Sequence, residues 1–464
     1  MLLGFISGLS TEASLMFLVC VLAVCIFEAI NGFHDTANAV ATVIYTKTLP
    51  PMFAVIWSGA WNFLGAMLGG IAVAMGIVKL MPVDDLMSVP LSENIVMVMS
   101  ILVAAIVWNL GTWYLGIPCS SSHSLIGALL GGGFAFWTIH NGAGPNWVKA
   151  KDIGLSLLIS PLFGFSMAIM LMYILRAMFK KNKTIFKSPD DTKKKPPIWI
   201  RAMLITTCTL VSYFHGNNDG QKGVGLALVV MMAFLPMQFA INPSIPSSDL
   251  SDSVRRIEAA IAQAAAGGGA NADNLRTLGT DASHMAAQID TTDRQSREEI
   301  FFMRKALQNF NNTMEGNVKG GIISGEAAKV SKAEIKSLKS SYEFSPTWVV
   351  AMIAICLGIG TMVGWKRIVV TIGEKIGKTH LTYAQGASAE LCAAAVIGVS
   401  SASGLPVSTT HVLSSGIAGT MVAQGGIKNL QRSTIKSIAL AWLLTLPVTF
   451  LLAAGLFYFF RLFT

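Results

Sequence analysis

The chain has 464 residues, 53% of them hydrophobic and only 13% charged, with 34 Lys and Arg against 25 Asp and Glu for a net charge of +9. A soluble domain carries about 25% charged residues, so this composition excludes a typical cytosolic enzyme, and the recurring apolar runs match the ~20 residues needed to cross a hydrocarbon core of about 30 Å. The basic residues gather in short connectors between apolar segments, a pattern that orients a membrane protein and offers no stripe for nucleic acid.

Apolar segments are predicted at 13–46, 52–78, 96–116, 119–138 and 154–178, then at 199–214 continuing through 223–240, and at 347–365, 385–403, 407–424 and 437–460. Counting 199–240 as one interrupted helix gives ten crossings, so the expected fold class is an all-α polytopic membrane protein. The first segment follows no Lys or Arg and runs into polar residues, so it reads as a span rather than a cleaved signal peptide. Residues 1–180 form a first membrane repeat, 181–198 a basic cytoplasmic linker containing KKKPP, and 199–464 a second membrane repeat interrupted at 242–345. That interruption is rich in Ser, Asp, Asn, Gln and Ala, and reads as a mostly helical or partly disordered soluble insertion. The six cysteines form no CxxC pair and read as small buried hydrophobes.

Connectors after the odd-numbered spans carry seventeen Lys and Arg, and those on the other side carry four, leaving out the insertion and Lys222. The positive-inside rule then places both termini and the insertion on the non-cytoplasmic side.

An internal repeat carries the chemistry. Asn31-Gly-Phe-His-Asp35-Thr-Ala-Asn38 is matched 184 residues later by His215-Gly-Asn-Asn218-Asp219-Gly-Gln-Lys222, and Gly116-Ile-Pro-Cys-Ser120-Ser121-Ser122-His123 is matched 288 residues later by Gly404-Leu-Pro-Val-Ser408-Thr409-Thr410-His411. The two offsets differ by the length of the insertion. Five crossings per half make the second copy inverted relative to the first, an architecture whose broken or re-entrant helices bind substrate and ions near the midplane.

A carboxylate inside a lipid-spanning segment costs at least about 2.5 kcal/mol unless it is partnered or protonated. Asp35 and Asp219, with the amide oxygens of Asn31, Asn38, Asn217 and Asn218 nearby, therefore read as a coupling-ion site, the adjacent glycines weakening the helix so that backbone approaches the ion. The alternative is that they cap broken helices or are neutralised by His34, His215 or Lys222. Glu390, alone in an apolar run, is a further coupling carboxylate. A proton and a sodium ion are both open as the coupling species.

Proline followed by Ser or Thr marks a helix that starts within the membrane, with free N–H groups and hydroxyls at its positive end, and such an end binds anions. Two of them, inverted, would cradle one tetrahedral oxyanion. Ordinary capping is the simpler alternative, and His123 and His411 read first as braces. No GxxxxGK[ST] run supports an ATP-driven pump.

These motifs resemble the inorganic phosphate transporter (PiT) family in GFHDTAN, GNNDGQK, PCSSSH and PVSTTH, in that order, over essentially all the membrane part but not the insertion. The resemblance implies a secondary phosphate symporter: phosphate at Ser120, Ser121, Ser122, Ser408, Thr409 and Thr410, and the driving cation at Asn31, Asp35, Asn38, Asn218 and Asp219. The bacterial Pit-type branch implies proton coupling and phosphate carried as a neutral complex with a divalent metal such as magnesium. Asn62 stands where sodium-driven relatives carry a glutamate, which favours protons over sodium. No tightly bound cofactor and no resident metal are assigned. The partners expected are inorganic phosphate and the lipid bilayer, with a homodimer left open. Rivals are a sodium-coupled symporter or sulfate permease of the same family, a membrane scaffold or sensor, and an intramembrane aspartyl protease with Asp35 and Asp219 as its dyad.

Overall fold

The computed structural model describes residues 9–81, 89–142, 144–180, 183–188, 195–268, 271–294, 296–366, 368–370 and 375–463, so much of the expected linker at 181–198 lies outside the described residues. The helices in chain order are α1 (Thr11–Tyr45), α2 (Pro51–Leu68), α3 (Ala72–Val78), α4 (Leu91–Tyr114), α5 (Ser121–His140), α6 (Trp147–Met178), α7 (Ile198–Phe234), α8 (Pro236–Phe239), α9 (Ser247–Ala266), α10 (Ala272–Thr291), α11 (Arg297–Lys319), α12 (Gly325–Tyr342), α13 (Thr347–Thr361), α14 (Tyr383–Ala402), α15 (Thr409–Gly425) and α16 (Arg432–Phe460). Among the described residues all regular structure is helical, apart from an isolated bridge between Gly377 and Leu430. The chain divides into two compact units, one of Leu15–Pro82, Leu91–Val230 and Ser345–Thr464 and a second made mainly of Met231–Phe344.

Six helices among the described residues are long and apolar enough to cross a membrane: α1, α2, α4, α5, α6 and the stretch Arg432–Phe463. The other four predicted crossings fall on α7, α13, α14 and α15. Of these, α13 and α15 have 15 and 17 residues, and α7 carries Asp219 and Lys222 in its interior. The segment predicted at 52–78 is two helices, because Gly69 and Gly70 end α2 before α3 begins.

The expected interruption at the Asp motifs is absent. α1 runs unbroken for 35 residues, about 52 Å, through Asp35, and α7 runs for 37 through Asp219. Neither motif contains proline, and one interior glycine costs a helix only ~1 kcal/mol relative to alanine, too little to break it. The motif glycines bring helices together instead. A Cβ at Gly32 would lie 2.5 Å from the Leu357 carbonyl oxygen of α13, and one at Gly216 would lie 2.1 Å from the Asn62 carbonyl oxygen of α2. Small residues at helix interfaces permit this close approach in lipid. The same exchange recurs elsewhere: Gly131 lies against Phe450 of α16, and Gly419 against Phe165 of α6. Elements of one half thus pack on elements of the other.

The breaks fall at the Pro-Ser segments. After α4, the Gly116 N–H donates to Trp113 O at 2.9 Å and Ile117 N–H to Thr112 O at 3.0 Å. After α14, Gly404 N–H donates to Ser401 O at 3.0 Å and Leu405 N–H to Ser400 O at 2.9 Å. Gly116 and Gly404 both have φ of 67°, a left-handed conformation that glycine adopts without penalty. Next, Ser120 and Ser408 cap α5 and α15, each hydroxyl accepting at 3.1 Å from the backbone N–H of His123 or His411. One turn-and-cap device is therefore built twice, 288 positions apart.

The insertion is more ordered than its composition implies. α9 to α12 bury apolar residues at helical spacing, Leu250, Val254, Ile257 and Ile261 on α9 against Leu275, Leu278, Ala282 and Met285 on α10, the stripe pattern of a packed amphipathic bundle.

Candidate functional site

Both Pro-Ser helix starts aim at Asp35. The Ser121 hydroxyl of α5 donates to Asp35 Oδ2 at 3.0 Å, Thr409 of α15 to the same oxygen at 3.3 Å, and Thr410 to Oδ1 at 2.5 Å. A continuous α1 thus carries a buried carboxylate to the point where two helix N-termini converge. Their positive ends and three hydroxyl donors supply what a charge needs out of water.

Asp219 is partnered differently. Three residues on along α7, Lys222 places its ammonium 2.7 Å from Asp219 Oδ1, and it also donates to Ser122 of α5 and, at 2.8 Å, to the Val407 carbonyl. Between the two carboxylates stands His215, with Nε2 3.7 Å from Asp35 Oδ2 and 3.5 Å from Asp219 Oδ2. Its other ring nitrogen lies 3.0 Å from Asn62 Oδ1, which fixes the ring. Ligand atoms of Asp35, His215 and Asp219 all lie within 4.8 Å of one another, close enough to share a cation. His34 adds an Nδ1 3.5 Å from Asp35 Oδ1.

The remaining sequence candidates divide. Ser120 and Ser408 accept the capping N–H of His123 and His411, which leaves the O–H of each hydroxyl as a donor. Asn218 is a brace: its amide donates to Ser401 Oγ at 2.9 Å and to Leu405 O at 3.3 Å, and its oxygen accepts from Val407 N–H at 3.2 Å, which ties α7 to the turn ahead of α15. Asn31 donates to Glu28 Oε1 at 3.2 Å, within α1. Asn38 lies in α1, but its side chain is outside the described ones. Glu390 forms its own buried cluster, accepting from Thr42 of α1 and, at 2.5 Å, from Thr207 of α7. The rings of His123 and His411 are tilted by 34° with centroids 4.4 Å apart, and His411 stacks on Trp442 at 3.9 Å. His123 Nδ1 also lies 2.8 Å from the Ser120 hydroxyl.

Glu28 escaped the sequence reading. It is fully buried, two helical turns ahead of Asp35, and its Oε2 makes no hydrogen bond. A Cβ at Gly223 of α7 would lie 2.3 Å from that oxygen. The signal was the one that singled out Glu390, a lone carboxylate in an apolar run, here hidden by its nearness to a stronger motif.

The profile of the PHO4 phosphate transporter family matches residues 31–453. The chain is 39% identical over 496 residues to the low-affinity inorganic phosphate transporter PitA of Escherichia coli (strain K12), covering 98% of this chain and 99% of that one. It is 39% identical over 480 residues to a low-affinity inorganic phosphate transporter of Buchnera aphidicola subsp. Acyrthosiphon pisum (strain APS), with 96% of each covered. A solved structure of a sodium-dependent phosphate transporter aligns with a TM-score of 0.55 at 20% identity, over 97% of this chain and all of that one, a likeness of fold alone.

Proposed function

Because the chain belongs to the phosphate transporter family, we propose that it imports inorganic phosphate with protons across the bacterial inner membrane, as a multi-pass symporter working by alternating access. In this reading ten crossings form two inverted halves, and the paired turn-and-cap segments and the exchanged glycine contacts support it. Both termini and the 242–345 insertion then face away from the cytoplasm, and the linker at 181–198 faces into it, as the lysine and arginine distribution requires.

One observation carries the coupling: hydroxyls from both helix starts donate to a single carboxylate, Asp35. A phosphate cradled between the starts needs those same donors. While Asp35 is ionised it competes for them, whereas protonated it becomes a donor itself and releases Ser121, Thr409 and Thr410 to the anion. Loading of the proton and loading of phosphate thereby favour one another. Ser122 and Lys222 supply a further hydroxyl and a positive charge beside the same place, and His215 offers a proton path between Asp35 and Asp219.

Protons are favoured over sodium because Lys222 already holds its ammonium 2.7 Å from Asp219, where a sodium ion would need the carboxylate, and because a histidine nitrogen is a poor ligand for a hard cation. Proteoliposomes test this. Labelled phosphate should accumulate under a pH gradient and not under a sodium gradient, excess sulfate should leave accumulation unchanged, and Asp219→Asn should abolish it. A magnesium arm decides whether the cargo is free phosphate or its neutral metal complex. Accumulation driven only by sodium would overturn the proton reading and keep the family one.

A further inference from the structure

A groove of about 720 Å3 lies between α6 and α14, open to the outside of the first unit. Its two ends differ. One end holds Asp152 and Leu405, and the walls beyond are mostly apolar: Ile159, Phe163 and Met167 of α6 face Val396 and Val399 of α14, with Ser160 and Ser400 among them. From Asp152 to Met167 the helix rises about 22 Å, enough for a whole hydrocarbon chain, and the volume lies in the range of about 300–1,000 Å3 that suits one small ligand. A cation stands near the polar end without lining it. Lys149 lies close by, its Cε 3.7 Å and the Gly404 carbonyl oxygen 3.4 Å from where a Cβ on Gly76 would sit, so the lysine stem runs beside the Gly404–Leu405 turn. Trp147, half exposed one turn earlier, is the kind of residue that settles at a membrane interface.

We propose that this groove is a lipid site that takes one acyl chain of a phosphatidylethanolamine, with the ammonium on Asp152 and the phosphate toward Lys149. An acid and a base at the mouth of an apolar slot match a zwitterionic headgroup on a single tail. An anionic phosphatidylglycerol would meet Asp152 with no ammonium to offer, and a phosphatidylcholine would bring a quaternary nitrogen with no N–H to donate. The proposal rests on the reading that α6 and α14 cross the membrane.

The position gives the lipid a task. Ser156, on the groove wall, donates to Pro406 O at 3.3 Å. The neighbouring carbonyls of the same segment accept from the phosphate-site elements: Leu405 O from Asn218, and Val407 O from Lys222 and Ser122. A chain filling the groove therefore backs the peptide that leads into α15.

Native mass spectrometry of the full chain, offered equal amounts of phosphatidylethanolamine, phosphatidylcholine and phosphatidylglycerol, tests the site. The expected result is a one-to-one adduct that favours phosphatidylethanolamine, with a preference that falls about fivefold in Asp152→Asn, the scale of one interfacial ion pair. Ala395→Trp, which fills the tail end, should remove the adduct, and because Asp152 is exposed the Asp152→Asn arm reads the site even if the tryptophan variant does not fold. Equal retention of the three lipids by the unaltered chain, or an unchanged preference in Asp152→Asn, would overturn the proposal. So would a disulfide-linked dimer of Leu155→Cys, an exposed lining residue, which would put a second copy over the groove. Adduct masses do not depend on transport, so a lipid-bound protein that moved no phosphate would count against the function proposed above and leave this site standing.

Discussion

Thr410 donates its hydroxyl to Asp35 Oδ1 at 2.5 Å across 375 positions of sequence. In Asp35→Asn the shape stays and the switch is lost, since an amide cannot alternate between pure acceptor and donor by taking up a proton. Charge-assisted hydrogen bonds are worth about 1.5–3 kcal/mol each, so phosphate uptake driven by a pH gradient should fall by at least about tenfold. Exchange of labelled for unlabelled phosphate without a gradient should be reduced less. Undiminished gradient-driven accumulation in Asp35→Asn would remove Asp35 from the coupling.

The glycine contacts separate structural from tolerant positions within one chain. Gly216→Ala drives a Cβ to 2.1 Å from the Asn62 carbonyl oxygen, backbone that cannot move aside, whereas Gly111, inside α4, has nothing within 4 Å. Overpacking costs about 1–3 kcal/mol, and relief of a helical glycine gains about 0.5–1 kcal/mol. Thermal unfolding in detergent should therefore move down for Gly216→Ala and up, or not at all, for Gly111→Ala. Equal shifts would mean that the α7–α2 contact is not as close as described.

Glu390 and its two threonines join α14 to α1 and α7. Thr207→Val keeps the shape and deletes a donor to a fully buried carboxylate, a loss of about 1–3 kcal/mol. In a Glu390→Gln background the same substitution should cost less, because a neutral amide forfeits less when a donor goes. A double-mutant cycle read by thermal unfolding measures the difference, and identical costs in both backgrounds would place the damage elsewhere than in this hydrogen bond.

Much of this architecture is written in short-range chemistry. Pro118 and Pro406 with the serines after them announce helix starts, and the structure puts helix starts there, because caps and prolines act over a few residues. The duplicated Asp motifs announce buried charge, and Asp35 and Asp219 are buried. The basic neighbours could be read, since Lys222, His215 and His34, offered as neutralising groups, do stand against the two carboxylates; the hydroxyl donors could not. The donors to Asp35 come from α5 and α15, and only the fold decides that Ser121 and Thr410 face it while Ser120 and Ser408 turn back as caps. The glycines misled for a related reason: Gly32 weakens a helix only slightly, and its real role, admission of α13, depends on a neighbour more than 300 positions away. Glu28 was missed beside the stronger motif, although its bond to Asn31 is local; only its closeness to Gly223 is settled by packing.

In the insertion, Arg256 forks onto Glu334, Nε to Oε1 at 2.8 Å and the terminal nitrogen to Oε2 at 2.9 Å, and this holds the Glu334 carboxyl below its ordinary value. A depressed carboxylate contributes stability above its unfolded value and loses it as pH falls through the folded one, so the contribution is complete at neutral pH and disappears in acid below the usual carboxylate range. Arg256 is about half exposed, which limits the pair to at most about 1 kcal/mol. Glu334→Gln should lower the unfolding midpoint slightly at pH 7 and leave it unchanged near pH 3. A loss that persists in acid would assign the effect to packing.

Arg304 sets a larger cost against that small one. Its side chain is 3% exposed and donates to the Ala240 carbonyl at 2.5 Å and the Tyr342 carbonyl at 3.1 Å, the points where the chain enters and leaves the four-helix insertion. Arg294 reinforces the entry through Ile245 O at 2.6 Å and Asn242 O at 3.0 Å, and Asn242 N–H closes the loop onto Ser341 O at 2.7 Å. Both bonds leave one guanidinium nitrogen, Nη1, and a lysine stem is one bond too short to bring its ammonium to that point, so Arg304→Lys should lose much of what Arg304→Met loses, about 2–4 kcal/mol for stranded buried carbonyls. Hydrogen exchange on the full chain reads the result. Protection should drop in the 240–246 segment and along α11 and α12, while the amides of α5 and α15 keep theirs. A lysine variant with native protection throughout would show that an ammonium reaches both carbonyls and that the longer guanidinium stem is not what ties the two ends of the insertion together.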